Sequence, residues 1–353
     1  MPELVVDPAA LAGRALGPGR PWGWPGAPAL PDLRPPPPAP DPALWGKAWA
    51  AARVPAARAA CGLPPAPWPV VVTDLAELDG VLAALLAAHP IAVIKAPFGA
   101  SGRGAQRALG GLTDPQRRWA AGALAAQGAL VVMPWLARAL DLSQHADLLP
   151  DGQLVLKGQV RFHNDAQGRF CAVSTHAPQL DLPPALARAL TADGARPGLL
   201  NEVGQAVFDV LRADLVAAGY HGPLGLDQLW SAPDQAPAVD AVADPAVGPF
   251  ALLPLVELNP RFTFGRVGLA LRARQAPRSR GRLHLAPAAA LRGLSLDRLP
   301  PLRRDGEGRL LEGLVPLSDP ATATQAVALW LVAPDAPALA AAEAALGLRP
   351  PLL

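Results

Sequence analysis

Apolar residues along this chain recur with two periods, and the change from one to the other marks out the expected elements. Leu75, Leu78, Leu82, Leu85 and Leu86 fall on one stripe at helical spacing, which predicts a helix over Leu75–His89 with Thr73 or Asp74 as its N-cap. Asp114–Gln127 reads as a helix with Pro115 at its first position, and Leu200–Ala218 as a long amphipathic one with Val203, Ala206, Val207, Val210, Leu211 and Leu215 inward. Short apolar runs predict strands at Pro69–Val72, Ile91–Ile94, Leu130–Met133, Gly222–Trp230, Leu252–Arg261 and Ala326–Val332. Leu154–Phe162 and Phe170–Ser174 flank a polar turn and predict an antiparallel pair. Ala43–Cys61 favours a helix interrupted near Pro55 with Gly62 as C-cap, Phe264–Arg274 a further helix, and Pro337–Leu346 an alanine-rich terminal one. Residues 275–312, rich in arginine and proline, read as a surface lobe. Glu3–Asp7 suits one short strand, while Pro18–Pro42 is too crowded with proline for a helix interior or a central strand. The mixture predicts an α+β protein.

Composition narrows the function. At 353 residues the chain suggests two or three lobes. A net charge of +2, 5% aromatics and no block of Lys and Arg interleaved with aromatics argue against nucleic acid as a partner. Cys61 and Cys171 fit no metal or redox spacing. With no signal peptide and no apolar run of about 18 residues, no membrane span is expected and a cytoplasmic location is. Nothing in the sequence speaks to oligomeric state.

The chemistry gathers at Ile91–Gly104, IAVIKAPFGASGRG, where an apolar run delivers Lys95 to a strand end and Gly99, Gly102 and Gly104 follow. A cation beside bare backbone amides is suited to a polyphosphate, though an ordinary βα turn with an exposed lysine has the same outline. The Walker A order, the G-x-G-x-x-G fingerprint and the G-x-S-x-G elbow are all excluded by spacing. Lys47, Lys95 and Lys157 are the only lysines in an arginine-dominated chain. Further on, Glu257, Asn259 and Arg261 alternate along an extended segment and so share a side. With Asp227 on a neighbouring strand they would form a hard oxygen site suited to Mg²⁺; the bland alternative is a salt-bridged strand. Lys157, Gln159, Arg161 and His163 share one strand face, which suits either binding of a phosphate or carboxylate or a solvated edge. His145, His163, His176 and His221 lack zinc spacing, leaving each only a candidate proton relay.

Taken in order, Lys95 with Gly99–Gly104, the hinge-like strand Val131–Leu136, Gly225-Leu-Asp227 and Glu257-Leu-Asn-Pro-Arg261 resemble the ATP-grasp superfamily over about residues 45 to 275. Asp141-Leu-Ser143, the strand around Gly158 and Glu257–Gly268 are similar to a sparsely characterised bacterial group within it. The resemblance implies an ATP-grasp fold in which two α/β lobes grip the nucleotide. It implies a short proline-rich pre-grasp-like region at residues 1–68, a small lobe with the Gly-rich loop at 69–136, a large lobe with the metal site at 137–275, and a C-terminal extension completing that lobe at 276–353. Lys95 would contact the α/β-phosphates and act in catalysis. Phe98, Gly99, Ser101, Gly102, Arg103 and Gly104 would close over the triphosphate. Met133, Pro134, Trp135 and Leu136 would hold the adenine edge mainly through backbone, and Asp141 would also belong to the ATP site. Asp227, Glu257 and Asn259 would ligate Mg²⁺, and Arg261 would stabilise the transferring phosphoryl group. An earlier basic residue is also implied, and Lys47, Arg53 and Arg58 are candidates that spacing does not separate. The implied reaction is Mg·ATP-dependent ligation of a small-molecule carboxylate to an amine through an acyl phosphate. The alternatives are a phosphotransferase on the same fold and a catalytically weak nucleotide-binding protein.

Overall fold

The computed structural model describes residues 42–99, 104–165, 168–232, 250–291, 302–318 and 323–348. The expected strand at Glu3–Asp7 and the proline-rich segment to Asp41 lie outside these residues, as do Ser101, Gly102 and Arg103.

Two short helices, α1 (Lys47–Ala51) and α2 (Val54–Ala60), stand where one interrupted helix was expected. Pro55 occupies the first turn of α2, where its missing N–H costs nothing, so it starts a helix rather than breaking one. Next come β1 (Val70–Val72), α3 (Leu75–Ala88), β2 (Ala92–Lys95), β3 (Ala105–Ala108), α4 (Asp114–Gln127) and β4 (Leu130–Pro134). The Asp74 side chain accepts from Glu77 N at the start of α3, and Thr113 with Gln116 closes a capping box on α4. The chain continues through β5 (Arg138–Leu148), β6 (Leu154–Asn164), β7 (Phe170–Ser174), α5 (Pro184–Ala189), α6 (Leu199–Ala217), β8 (Gly222–Ser231) and β9 (Ala251–Asn259). It closes with α7 (Phe264–Arg272), β10 (Arg280–Pro287), β11 (Arg303–Arg304), β12 (Leu310–Pro316), β13 (Ala326–Ala333) and α8 (Ala336–Ala345).

The chain divides into two compact units. One runs through Pro37–Gly158 and Leu182–Pro260, the other through Gln159–Asp181 and Arg261–Leu352, so β6 begins in the first and ends in the second.

In the first unit a four-stranded sheet has the order β1–β4–β2–β3, with antiparallel neighbours throughout. Its second sheet places β5, β8 and β9 side by side, also antiparallel. Helix α6 buries Leu199, Leu200, Val203, Val207, Phe208, Leu211 and Leu215, the stripe that its period predicts. Gly204 allows that stripe to approach the β5 side chain Gln144, whose carboxamide donates to Leu200 O. A Cβ at Gly204 would fall onto this carboxamide, which is 1% exposed and has little room to move. Gly204→Ala is expected to destabilise the protein by about 1–3 kcal/mol through overpacking. A lowered midpoint in urea with an unchanged slope would establish it.

In the second unit the strand order is β6–β7–β10–β13–β12–β11. The described part of residues 275–312 is therefore not a surface lobe: β10 lies between β7 and β13, with Leu283 and His284 buried. The arginines alternate with apolar residues along Arg280–Ala286, and that period 2 is the strand signal that the high arginine content obscured. Helix α7 packs through Gly268, where a Cβ would lie 2.6 Å from Val173 Cγ1.

Candidate functional site

Lys95 ends β2, a strand paired on one side with β3 and on the other with β4. The loop after it is a hairpin loop, not the βα turn of the bland outline: Lys95 pairs with Ala105, and Ala96 N donates to Gly104 O at 2.8 Å. Gly104 has φ +80, the left-handed region, and a Cβ there would come within 3.3 Å of Gly99 Cα. Two glycines in contact thus form the base of the loop. Phe98 is 52% exposed beside it, its N–H donating to Gln127 Oε1 at 3.0 Å.

Lys47 is the residue that sequence spacing did not select. Its backbone N–H donates to Pro97 O at 3.0 Å, and its ammonium reaches both Gly99 O and, at 3.0 Å, Glu257 Oε1. One side chain thereby ties the loop base to an acid of β9. The other two candidates are engaged elsewhere. Arg53 pairs with Asp214 at 2.6 Å and stacks on Trp49, and buried Arg58 donates to the carbonyls of Pro64 and Leu252. A signal for Lys47 was present in its rarity, since it is one of three lysines.

Strand register gathers the acids. Asp227 lies opposite Glu257 and Gly225 opposite Asn259, and the Asn259 carboxamide donates to Asp227 Oδ2 at 3.1 Å. Ser143 of β5 stands opposite Asp227, which puts Asp141, Ser143, Asp227, Glu257 and Asn259 on one face. Asp141 is 9% exposed and pairs with Arg138 at 2.5 Å. Arg261 follows two residues after Asn259 and is half-buried.

These charges converge on Lys95. Burial, first, and then the guanidinium of Arg138 push its ammonium down to about 8, with Glu257 and Asp141 opposing and Lys47 adding to the fall. The Lys95 ammonium donates to the thioether of Met133 at 3.4 Å, a weak acceptor that adds little to the compensation of its charge.

The expected adenine segment is buried at Met133, Pro134 and Leu136, and half-buried at Trp135. Pro134 has no N–H, Trp135 N–H donates to Ile91 O at 2.9 Å, and the same register turns Met133 N–H towards Val93, so Leu136 is the one whose N–H could serve a base edge. The Trp135 ring lies under Arg107 at 3.7 Å, with Arg138 at 5.5 Å.

Two carboxylates and a carboxamide fit a hard divalent cation, and a lysine ammonium already sits on one of them, the mark of a locally negative field. Among the described residues no three His, Cys, Asp or Glu side chains cluster to hold a metal, so a cation here would complete its shell with water and substrate oxygens.

No family model matches the chain, and no curated protein matches it. Solved structures similar to it include a biotin carboxylase from Campylobacter jejuni in a β-γ-ATP complex, with 12% identity, 88% of this chain and 68% of that one covered, and a TM-score of 0.49. An N5-carboxyaminoimidazole synthetase from Staphylococcus aureus complexed with ADP has 10% identity, coverage of 86% and 71%, and a TM-score of 0.49. An ADP complex of an N5-carboxyaminoimidazole ribonucleotide synthetase has 14% identity, coverage of 83% and 69%, and a TM-score of 0.48. Among the described residues no helix is long and apolar enough to cross a membrane.

Proposed function

We propose that the chain is an ATP-grasp enzyme that joins a small-molecule carboxylate to an amine at the expense of Mg·ATP, through an acyl phosphate. One observation carries this: two of its three lysines, Lys95 and Lys47, meet the Gly99–Gly104 loop base and the Asp227–Glu257–Asn259 face within one unit. A triphosphate needs such cations on one flank, and a Mg²⁺ bridging its oxygens needs the carboxylates on the other.

In this reading Lys95 and Lys47 bind phosphate oxygens beside Phe98, Gly99 and Gly104. Met133–Leu136 and Asp141 orient the nucleoside. Asp227, Glu257 and Asn259 would hold Mg²⁺, which would supply positive charge beside the phosphates. ADP release that depends on both a carboxylate and an amine, with an amide as product, would support this function. A phosphate ester as product would overturn it.

Lys95 predicts a pH dependence. Its ammonium is half-titrated near pH 8 in the free protein, and a triphosphate beside it would favour the charged form. Binding would then take up a proton above pH 8. Mg·ATP affinity is expected to be level below that pH and to fall by up to about tenfold per unit above it. Calorimetric titrations from pH 7 to 9.5 measure this, and Lys95→Arg should remove the fall. Without nucleotide the depressed pKa acts the other way: Lys95 opposes folding below pH 8, and that opposition fades between about 8 and 10.5.

A further inference from the structure

From Gln159 onward the face of β6 that the sequence left open is not a solvated edge, whereas Lys157 at its start is exposed and pairs with Asp147 at 3.2 Å. In the second unit Gln159, Arg161 and His163 are 8%, 5% and 8% exposed, and β6 is paired along β7. The register sets His163, Ala172 and His284 in one row across β6, β7 and β10, with Ser174 opposite Arg282 in the next and Arg161 two residues from His163. Three strands thus bring Arg161, His163, Ser174, Arg282 and His284 to one buried face.

The acids around this face are already engaged. Glu343 of α8 accepts from Arg282 Nη1 at 2.5 and 2.6 Å and from His284 Nε2 at 2.7 Å. Asp181 is paired with Arg280, donated to by Nη2 at 2.9 Å. Arg161 instead has its Nη2 2.8 Å from His176 Nε2. Guanidinium can only donate, so Nε2 accepts, and the ring proton sits on Nδ1, 3.0 Å from Gly281 O. Burial, then Arg161, pushes His176 down to about 3, so the partner of Arg161 is a neutral ring. Burial lowers Arg161 itself only to about 10, which leaves it charged at neutral pH. His163 donates to or accepts from Ser174 Oγ at 2.8 Å and is held neutral first by burial, then by Arg282, Arg161, His284 and His176. Two buried donors complete the pattern: among the described residues Arg161 Nε and Arg282 Nε have no hydrogen-bond partner.

A buried guanidinium without a carboxylate, beside a second with a spare N–H, is costly unless an anion joins them. We propose that Arg161, Arg282, His163 and Ser174 form a binding site for an oxyanion, a carboxylate or phosphate group of a small molecule. All of its residues lie in the second unit, so the site stands independently of the nucleotide function proposed above. Arg161 and Arg282 donate to the anion, and the His163–Ser174 pair supplies a further hydroxyl or imidazole donor.

The test is the thermal midpoint of the full chain in sodium acetate, sodium succinate and sodium phosphate, each against sodium chloride at equal ionic strength. The expected result is a saturable rise with one oxyanion class, which tells carboxylate from phosphate, and at least a tenfold weaker apparent affinity in Arg161→Gln. Arg161→Lys should recover part of it by keeping the charge without the fork. Should Arg161→Gln fail to fold, His163→Asn takes its place, with weakened anion binding expected. No response beyond chloride, or equal responses in wild type and variant, would overturn the proposal. The Mg·ATP-dependent shift, read on the same samples, should persist in Arg161→Gln, so that failure of one site is told apart from failure of the other.

Discussion

Glu257→Ala is expected to lower turnover with Mg·ATP by roughly a hundred- to thousandfold, the range for removing one preorganised charge from a phosphoryl-transfer site. The size follows from how much converges on this carboxylate. Glu257 faces Asp227 across the strand pair and holds the Lys47 ammonium at 3.0 Å, while Lys47 also reaches the loop base at Gly99. Removing it would halve the carboxylate charge offered to a cation at the proposed site and release the lysine that ties loop to strand. Stability should change far less, by under about 1 kcal/mol, because the Lys47–Glu257 pair is partly exposed, at 15% and 22%. Steady-state rates against Mg²⁺ concentration, with the thermal midpoint as control, separate the two effects. Glu257→Gln should resemble alanine in rate, since the carboxamide keeps the shape and loses the charge.

The largest effect on stability is expected from Phe208→Ala. Phe208 lies fully buried on α6, in the apolar cluster that also takes in Leu211, Leu215, Leu224, Leu226 and Leu258. Deleting the ring forfeits its burial and leaves a cavity that strands on one side and a helix on the other cannot collapse, at about 3–5 kcal/mol. For a chain of this size that corresponds to a fall in Tm of roughly 4–7 °C. Denaturant unfolding should report a lowered midpoint; a change below about 1 kcal/mol would mean that the α6 stripe does not carry the core.

The elements with one strong period were legible. The expected helix over Asp114–Gln127 matches α4 residue for residue, and Leu200–Ala218 differs from α6 by one position at each end. What was missed had its signal diluted. β5 went unread although Leu140, Leu142, Gln144, Ala146 and Leu148 alternate with Asp141, Ser143, His145 and Asp147, because a buried glutamine and histidine interrupt the apolar and polar classes. β3 is four residues long and carries only half-buried side chains before Ala108, so nothing local distinguishes it from loop. The acids were readable from alternation alone, since period 2 on β8 and β9 needs no tertiary knowledge. Lys47 was not, because its role depends on α1 lying against β9, 210 residues away in sequence from Lys47 to Glu257. The buried state of Arg161 and His163 was likewise undecidable, since a cationic strand face is the same pattern at an edge and in a sheet interior.

The central claim is that Lys95 and Glu257 belong to one Mg·ATP site, and thermal shift with ATP, GTP and NADH, each with and without Mg²⁺, tests it most directly. The expected result is a magnesium-dependent rise with ATP alone, of about 2.7 kcal/mol at a hundredfold excess over Kd. It should be lost in Lys95→Ala and lose its metal dependence in Glu257→Ala. No response to millimolar Mg·ATP in the wild type, or an equal response in all three proteins, would contradict it.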